Sequence, residues 1–332
     1  MEQQKSKGGC CLAFLVTILA VFMALVWLAD YGIDSVLDQI NRVDQAPTLS
    51  EEEIQQIEGG AEDPGAEKDD WTVPPGSAPP IKQEDQIINI LLIGQDRRGG
   101  TARQRSDTMI LCTIDPEAKT VVMTSFLRDL YVDIPNWDGH SYQDNRLNVC
   151  YALGGMGLLD AALRKNFGVE VDHNVEVDFS GFEDIVSQFG GVPVNLTKAE
   201  AEYLGGGLRE GLNRLDAQQA LAFVRIRKLD SDFGRTERQR RLLNGMLGAM
   251  QKMSYNHQVK LINSILPMIT TDMTNDEIKG YMRQLLPILW ELEVTTQYIP
   301  ASGTYRNASI RGMSVLVPDL EANRAILEET LN

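Results

Sequence analysis

The chain has 332 residues, 43% of them hydrophobic, so it is long and apolar enough to bury a core of ordinary size in one or two domains. Its formal net charge is -16 at pH 7, which excludes a general nucleic-acid binder because such a protein needs a basic face. The four cysteines and three histidines lack zinc-type spacing and indicate no thiolate or imidazole metal site. We expect Cys112 and Cys150 to be buried thiols, while the sequence leaves open whether they pair.

The first predicted element is an apolar run at residues 10–29, twenty residues without a charge. At 1.5 Å per residue, a helix of this length crosses the roughly 30 Å hydrocarbon core of a bilayer. Lys5 and Lys7 precede the run and Asp30 and Asp34 follow it, so the positive-inside rule keeps residues 1–9 in the cytoplasm. We therefore predict a single-pass cell-membrane anchor with the rest of the chain outside. A cleaved signal peptide is the alternative, and it has a shorter apolar region.

Residues 30–85 are acidic and end in the proline-rich sequence VPPGSAPP. Between Asp44 and Asp85 there are twelve acidic residues and two lysines. A segment of this composition buries too little apolar surface to offset its ordering entropy, so we predict an extended extracytoplasmic stalk. Within it, Ser50 and Glu53 have capping-box spacing, which favours a short helix.

From residue 86 to the C-terminus the pattern indicates one α/β domain. A continuous apolar run at 87–93 is typical of a strand buried on both faces, and a turn-rich connection joins two further strands. Helical and strand-like patterns then alternate, which favours a sheet sandwiched between helices. The further predicted strands are 109–114, 120–126, 176–179, 192–196, 295–299 and 313–317. The predicted helices are 155–166, 179–188, 217–224, 236–253, 260–292 and 318–331.

Acidic and basic residues follow the first strand directly. The sequence IGQDRRGG leaves that strand and RQRSD enters the next, which places Asp96, Arg105 and Asp107 at one sheet edge. Mg²⁺ is usually held by one or two carboxylates together with substrate phosphates, so this edge is a candidate magnesium site. The alternative is that both aspartates cap turns.

Six of the twenty arginines lie within seventeen residues of one another, near the end of the motif-bearing region. Arg235, Arg238 and Gln239 share one stripe of a predicted helix. Cations in the first turns of a helix oppose its dipole, so this stripe predicts an anion site. Arg225 and Arg227 end the preceding helix, where basic residues are also favoured without any ligand.

Taken in order, the segments GQD, RSDT, SFLRDLYVDIP, RLNVCYALGG, FGGVPVNL and LDAQQALAFVRIRKLDSDFGRTERQ resemble the LytR-CpsA-Psr family over about residues 87–253. The resemblance implies that residues 86–332 form a three-layer α/β/α sandwich with a mixed central sheet, outside the membrane. It implies a transferase assisted by Mg²⁺, or by Mn²⁺ in its place. Such an enzyme moves a teichoic acid, capsular or other wall polysaccharide from a polyprenyl-pyrophosphate carrier to peptidoglycan.

The resemblance also assigns roles to residues. Asp96 and Asp107 resemble the family's metal ligands, and Arg105 and Arg128 join them as the catalytic set. The residues that resemble the pyrophosphate-binding set are Arg128, Arg146, Arg225, Arg227, Arg235 and Gln239. Arg146 stands where the family usually has lysine, which keeps the charge and changes the geometry.

Two questions stay open at this point. The general base could be Asp107, Asp129 or Asp232. The leading alternative function is a non-catalytic protein that binds a polyprenyl-pyrophosphate glycan and regulates envelope assembly, which would need the arginines but not the metal. A transcription regulator conflicts with the anchor and the acidity. A secreted phosphohydrolase would let water compete with the sugar acceptor.

Overall fold

The computed structural model describes residues 33–43, 49–58, 78–81, 86–95, 105–178, 182–226 and 253–331, with positions 229, 234, 237, 238, 241, 242, 245, 246, 248 and 249. The predicted membrane segment at 10–29 and most of the predicted stalk lie outside these residues. Among the helices of the described ranges, none has the length and apolar character needed to cross a bilayer.

The described chain divides into two compact units. The sheet unit comprises the described residues of Arg42–Val177, Thr270–Met273 and Thr295–Asn332. The helical unit comprises residues 33–41 and the described residues of Asp178–Ile269 and Thr274–Val294.

The elements follow one another in an α/β order. The helices are α1 (Ile33–Leu37), α2 (Glu51–Glu58), α3 (Leu147–Phe167), α4 (Phe182–Gln188), α5 (Lys198–Leu204), α6 (Ala217–Val224), α7 (Tyr255–Ile265), α8 (Asn275–Leu285) and α9 (Leu320–Leu331). The strands are β1 (Asn41–Arg42), β2 (Ile88–Gln95), β3 (Thr108–Asp115), β4 (Thr120–Phe126), β5 (Tyr131–Val132), β6 (Asn145–Arg146), β7 (His173–Asp178), β8 (Val192–Leu196), β9 (Gly211–Leu215), β10 (Ile269–Thr271), β11 (Glu293–Ile299), β12 (Tyr305–Ile310) and β13 (Met313–Pro318).

A seven-stranded sheet organises the sheet unit, with strand order β1-β10-β7-β2-β3-β4-β11. The predicted apolar strand is confirmed as β2, near its centre, where seven of its eight residues are buried. The predicted hairpin is confirmed as well, since β3 pairs antiparallel with both β2 and β4. The fold is therefore α/β with a mixed central sheet, as expected.

The core of the sheet unit lies between these strands and the long helix α3. Leu91, Leu111 and Phe126 from the strands share one apolar cluster with Leu159 and Phe167 of α3. The helix ends where Gly168 adopts φ 74°, a left-handed conformation that favours glycine and stops the helix. Cys112 and Cys150 are buried thiols, as predicted, and no disulfide joins these two described residues.

Two of the regions that differ from the sequence expectation are residues 260–292 and the predicted stalk. The predicted helix at 260–292 is interrupted after α7, because Pro267 cannot continue it and the chain then forms strand β10. In the predicted stalk, Ser50 and Glu53 form the expected capping box, with mutual hydrogen bonds of 2.9 and 3.3 Å. The resulting helix α2 places Ile54 in the core of the sheet unit, so residues 51–58 are packed rather than extended.

Candidate active site

The antiparallel order of β2, β3 and β4 brings three chain segments to one edge of the sheet. Strand β2 ends there, β3 begins there and β4 ends there, because neighbouring strands run in opposite directions. The backbone N–H of Asp107 donates to the carbonyl of Gly94 at 3.0 Å and closes the β2–β3 end of the ladder. Arg105 and Asp107 therefore enter the site directly from the sheet, as the sequence predicted.

Arg128 reaches this edge from the end of β4. The chain turns there, with the N–H of Leu130 donating to the carbonyl of Leu127 at 3.1 Å. The Nη1 of Arg128 donates to Asp107 Oδ1 at 2.9 Å, and its Nε lies 3.4 Å from Asp129 Oδ2. The Arg128 side chain is 15% exposed and that of Asp107 is 49% exposed, so the carboxylate faces solvent more than its partner does.

Arg146 comes from β6, which pairs with β5 so that Arg146 lies opposite Tyr131. The first residue of α3 donates its N–H to the carbonyl of Leu130 at 2.8 Å and holds this segment against the Arg128 turn. The Nη1 of Arg146 lies 3.4 Å from Asp129 Oδ1. Asp129 therefore stands between the guanidinium groups of Arg128 and Arg146.

Arg105 completes the group. Burial lowers the pKa of Arg105, the nearby charge of Arg146 lowers it further, and Asp129 acts in the opposite direction. Arg105 and Arg146 are thus close enough to repel each other. Among the described side chains at this sheet edge, the guanidinium groups of Arg105, Arg128 and Arg146 accompany the carboxylates of Asp107 and Asp129.

Some buried polar atoms at this edge have no hydrogen-bond partner among the residues that the structure describes. The Oγ of Ser106, a residue with no exposed surface, and the Nε of Arg146 are among them. An unmet buried donor is costly, and a bound anion would satisfy it. The guanidinium groups and the unmet donors together give an edge suited to phosphoryl oxygens.

The chemistry of Asp107 fits a magnesium ligand. One of its oxygens accepts from Arg128, and about half of the side chain stays exposed to a ligand. Mg²⁺ often takes one or two protein carboxylates and completes its shell with water and phosphate oxygens. Asp96, its predicted partner, lies outside the described residues, and within the described ranges no group of three acidic, histidine or cysteine side chains could hold a metal.

The remaining predicted site residues do not join this group in the described part of the chain. Arg227, Arg235 and Gln239 lie outside the described part of the chain. Arg225 belongs to the helical unit, where it is exposed at the C-terminal end of α6. The structure thus brings together Arg105, Asp107, Arg128 and Arg146, all of which belong to the sheet unit.

Arg238, which the sequence placed in the anion-facing stripe, serves the core instead. It is 1% exposed, its Nη2 donates to the carbonyl of Ile226 at 2.8 Å, and its Nη1 lies 3.6 Å from Glu200 Oε1. Arg241 binds both oxygens of the same carboxylate. Burial by itself would raise the pKa of Glu200. The hydrogen bonds from Arg241 and Thr197 outweigh burial and keep this pKa below the usual range of a glutamate. For Arg238 the stripe pattern misled, because it carries no information on the buried Glu200.

The sequence of this chain matches a known protein family and several of its relatives. The LytR_cpsA_psr family model matches residues 56–330. Regulatory protein MsrR of Staphylococcus aureus strain COL is 35% identical over 167 residues, which are 49% of this chain and 49% of MsrR. The chain thus spans about half the length of that relative. Polyisoprenyl-teichoic acid--peptidoglycan teichoic acid transferase TagU of Oceanobacillus iheyensis is 32% identical over 259 residues, 75% of this chain and 77% of TagU.

The fold agrees with solved structures of related proteins. The structure of TagT bound to LIIa-WTA has a TM-score of 0.56 and 25% identity, covering 77% of this chain and 95% of TagT. The motifs that follow β2 and β4, the mixed sheet and the family match all agree, and the chain is a member of the LytR_cpsA_psr family.

Proposed function

We propose that this protein is a membrane-anchored transferase that moves a wall glycopolymer from a polyprenyl-pyrophosphate carrier to peptidoglycan. The polymer would be a teichoic acid, a capsular polysaccharide or a related glycan. The observation that carries the proposal is the group of Arg105, Arg128 and Arg146 around Asp107 and Asp129 at one sheet edge. Family membership and the similarity to TagU support the same activity.

The reaction is a phosphoryl transfer. A hydroxyl oxygen of the peptidoglycan acceptor forms a bond to the phosphorus nearer the glycan, and the bond from that phosphorus to the bridging oxygen breaks. Polyprenyl phosphate leaves with the bonding electrons, and the hydroxyl proton passes to a carboxylate. Catalysis of this type consists mainly of positioning and charge stabilisation.

The guanidinium groups supply most of that stabilisation. Arg128 and Arg146 are oriented by Asp129, so their donors are fixed before the substrate arrives. Fixed donors in a partly buried site stabilise developing negative charge without reorganising, which is the most effective electrostatic arrangement. Asp107 and the predicted Asp96 would hold Mg²⁺, whose charge neutralises phosphate oxygens when it is bound.

Among the described candidates for the general base, Asp107 and Asp129 both belong to the site. Asp107 is 49% exposed and binds one arginine, whereas Asp129 is 22% exposed and lies beside two. Asp107 is therefore the carboxylate that an incoming hydroxyl reaches more easily. Asp232 lies outside the described residues.

We further propose that the domain stands outside the cell membrane as a three-layer α/β/α sandwich, tethered by residues 10–29. A tether raises the effective concentration of the domain at a lipid-linked donor. The apolar run and its flanking charges support this arrangement.

The direct test is an assay with the detergent-solubilised full chain, a synthetic polyprenyl-pyrophosphoryl glycan, peptidoglycan and Mg²⁺. The expected product is a glycan joined to peptidoglycan through a phosphodiester, identified by mass spectrometry. Arg128→Gln should lower the rate roughly a hundredfold, the scale for loss of one charge-stabilising donor. The matched control is Arg164→Ala, which removes a surface arginine that is 61% exposed, and its rate should stay unchanged.

The alternative is a non-catalytic glycan-binding regulator, which the name of the relative MsrR favours. It would bind the lipid-linked glycan through the arginines and form no product. Retained binding with no transfer in the same assay would support it. Loss of transfer in Asp107→Asn with retained binding would instead support the enzyme.

A further inference from the structure

Helix α2 lies before the catalytic motifs in sequence and is nevertheless built into the sheet unit. Its first turn is closed by the capping box of Ser50 and Glu53, which satisfies exposed N–H groups at the helix start. Ile54 is buried in the core of the sheet unit, and Leu49 and Ile57 pack against the same cluster. One face of the helix is thereby anchored, so the position of its C-terminal turn is defined.

That C-terminal turn contacts two segments of the candidate active site. The Nη2 of Arg105 donates to the carbonyl of Ile57. The Nδ2 of Asn145 donates to the carbonyl of Glu58 at 3.2 Å, and the N–H of Gln143 donates to Glu58 Oε1 at 3.0 Å. The last carbonyls of a helix have no partner within it and carry the negative end of its dipole, so they suit a cation and amide donors.

The segment from Gln143 to Arg146 transmits this contact to the site. Asn145 Oδ1 accepts from the N–H of Arg146 at 2.9 Å, while its Nδ2 is engaged by Glu58, so both ends of the side chain amide are used. Arg311 also holds this segment, because it donates to Gln143 Oε1 and to the carbonyl of Asp144. The backbone that carries Arg146 is thus fixed by side chains from outside its own short strand.

Such fixing is needed because the site gathers like charges. Arg105 and Arg146 repel each other, and a flexible pair would move apart and lose the geometry that two phosphoryl groups require. The carbonyl of Ile57 holds the first arginine, and Glu58 holds the segment that bears the second.

We propose that the C-terminal turn of α2 is a positioning element for the arginine group, with Glu58 as its positioning residue. The Glu58 carboxylate holds the Gln143 N–H, while the backbone carbonyl of Glu58 acts through Asn145 on Arg146 and the carbonyl of Ile57 acts on Arg105. The inference rests on the proposed function for the identity of the ligand. It extends the functional part of the chain into a segment that the sequence analysis assigned to the stalk.

The test uses the full chain in detergent and the variants Glu58→Ala and Glu58→Gln, with Glu52→Ala as the matched control. Glu52 is an exposed carboxylate on the same helix. Glutamine keeps a side-chain oxygen that can accept from the Gln143 N–H, whereas alanine does not. The first measurement is backbone hydrogen exchange at 143–146, and the second is calorimetric binding of geranyl pyrophosphate with Mg²⁺.

In Glu58→Ala we expect exchange at 143–146 to accelerate and the Kd for geranyl pyrophosphate to rise roughly tenfold, the scale of one lost hydrogen bond to a charged acceptor. The bond from Asn145 to the backbone carbonyl of residue 58 remains in this variant. Exchange within α3 should not change, which separates positioning from unfolding. The Kd of Glu58→Gln should stay within roughly threefold of the wild-type Kd. The Kd of Glu52→Ala should equal that of the wild type.

Unchanged exchange in Glu58→Ala, or faster exchange with an unchanged Kd, would overturn the positioning role. If the wild type does not bind geranyl pyrophosphate at all, the proposed function fails. The contact of Glu58 with the Arg146 segment is then judged on exchange alone, where unchanged rates at 143–146 overturn it.

Discussion

Asp160 of α3 is a largely buried carboxyl group whose titration should make the stability of the protein depend on pH. Its Oδ2 accepts from the Nδ2 of Asn174 on β7 at 2.8 Å, and the same amide donates to Asp272 Oδ2 at 3.0 Å. Within the described residues, the other oxygen of Asp160 is buried and has no hydrogen-bond partner. His173 faces the group as well, with Nδ1 3.5 Å from Asp272 Oδ1. The pKa of Asp160 is raised from 3.8 to about 7, because the effects of burial and of the nearby Asp272 charge outweigh the bond from Asn174, which lowers it.

The sign of the pH effect follows from linkage. Because the folded protein holds the proton more tightly than the unfolded chain, the stabilisation is fully present below pH 3.8 and is lost as pH rises to about 7. At about 1.4 kcal/mol per pH unit, the whole interval corresponds to at most about 4 kcal/mol. Between pH 5 and pH 8 the loss is about 2 to 3 kcal/mol.

Asp160→Asn removes this titration while keeping an oxygen that can accept from Asn174. We expect the variant to gain about 2 to 3 kcal/mol of unfolding free energy relative to the wild type between pH 5 and pH 8. The measurement is urea denaturation of both proteins at the two pH values, which cancels the titrating groups that do not interact with Asp160. Glu170→Gln, in an exposed ion pair with Arg164, is the control and should run parallel to the wild type. Parallel curves for Asp160→Asn would refute the reasoning.

Three further predictions concern stability. Arg238→Ala should lower the free energy of unfolding by about 3 to 5 kcal/mol in urea denaturation, because it leaves the buried carboxylate of Glu200 with one arginine fewer. A loss of activity without a loss of stability would contradict this prediction. Tyr151→Phe should lower the free energy of unfolding by about 1.5 to 3 kcal/mol, since the Tyr151 hydroxyl donates to buried Glu176. A thermal midpoint equal to that of the wild type would contradict this prediction. Gly245→Ala should also lower the thermal midpoint, because its Cβ would press on a backbone carbonyl of β8, which cannot rotate away; an unchanged or raised midpoint would show that β8 can shift.

The candidate active site was partly predictable because its residues adjoin strand ends. Arg105, Asp107 and Arg128 lie within three residues of β3 or β4, so recognising those strands was sufficient to place the three at one sheet edge. The resemblance added Arg146, and the structure brings its guanidinium to the same carboxylate as that of Arg128. The roles of these residues in binding pyrophosphate stay predictions, as do those of Asp96, Arg225, Arg227, Arg235 and Gln239.

The sequence by itself determined the central strands, the capping box of α2 and the family motifs, because each depends on residues close together in the chain. Only the tertiary structure decided that Arg238 is buried against Glu200 and that α2 joins the core and touches Arg105. These contacts join residues 38 and 48 positions apart, and local periodicity shows which face of a helix is apolar without showing what that face meets. Burial of a charged side chain depends on such a distant partner, so it appears only when the chain has folded.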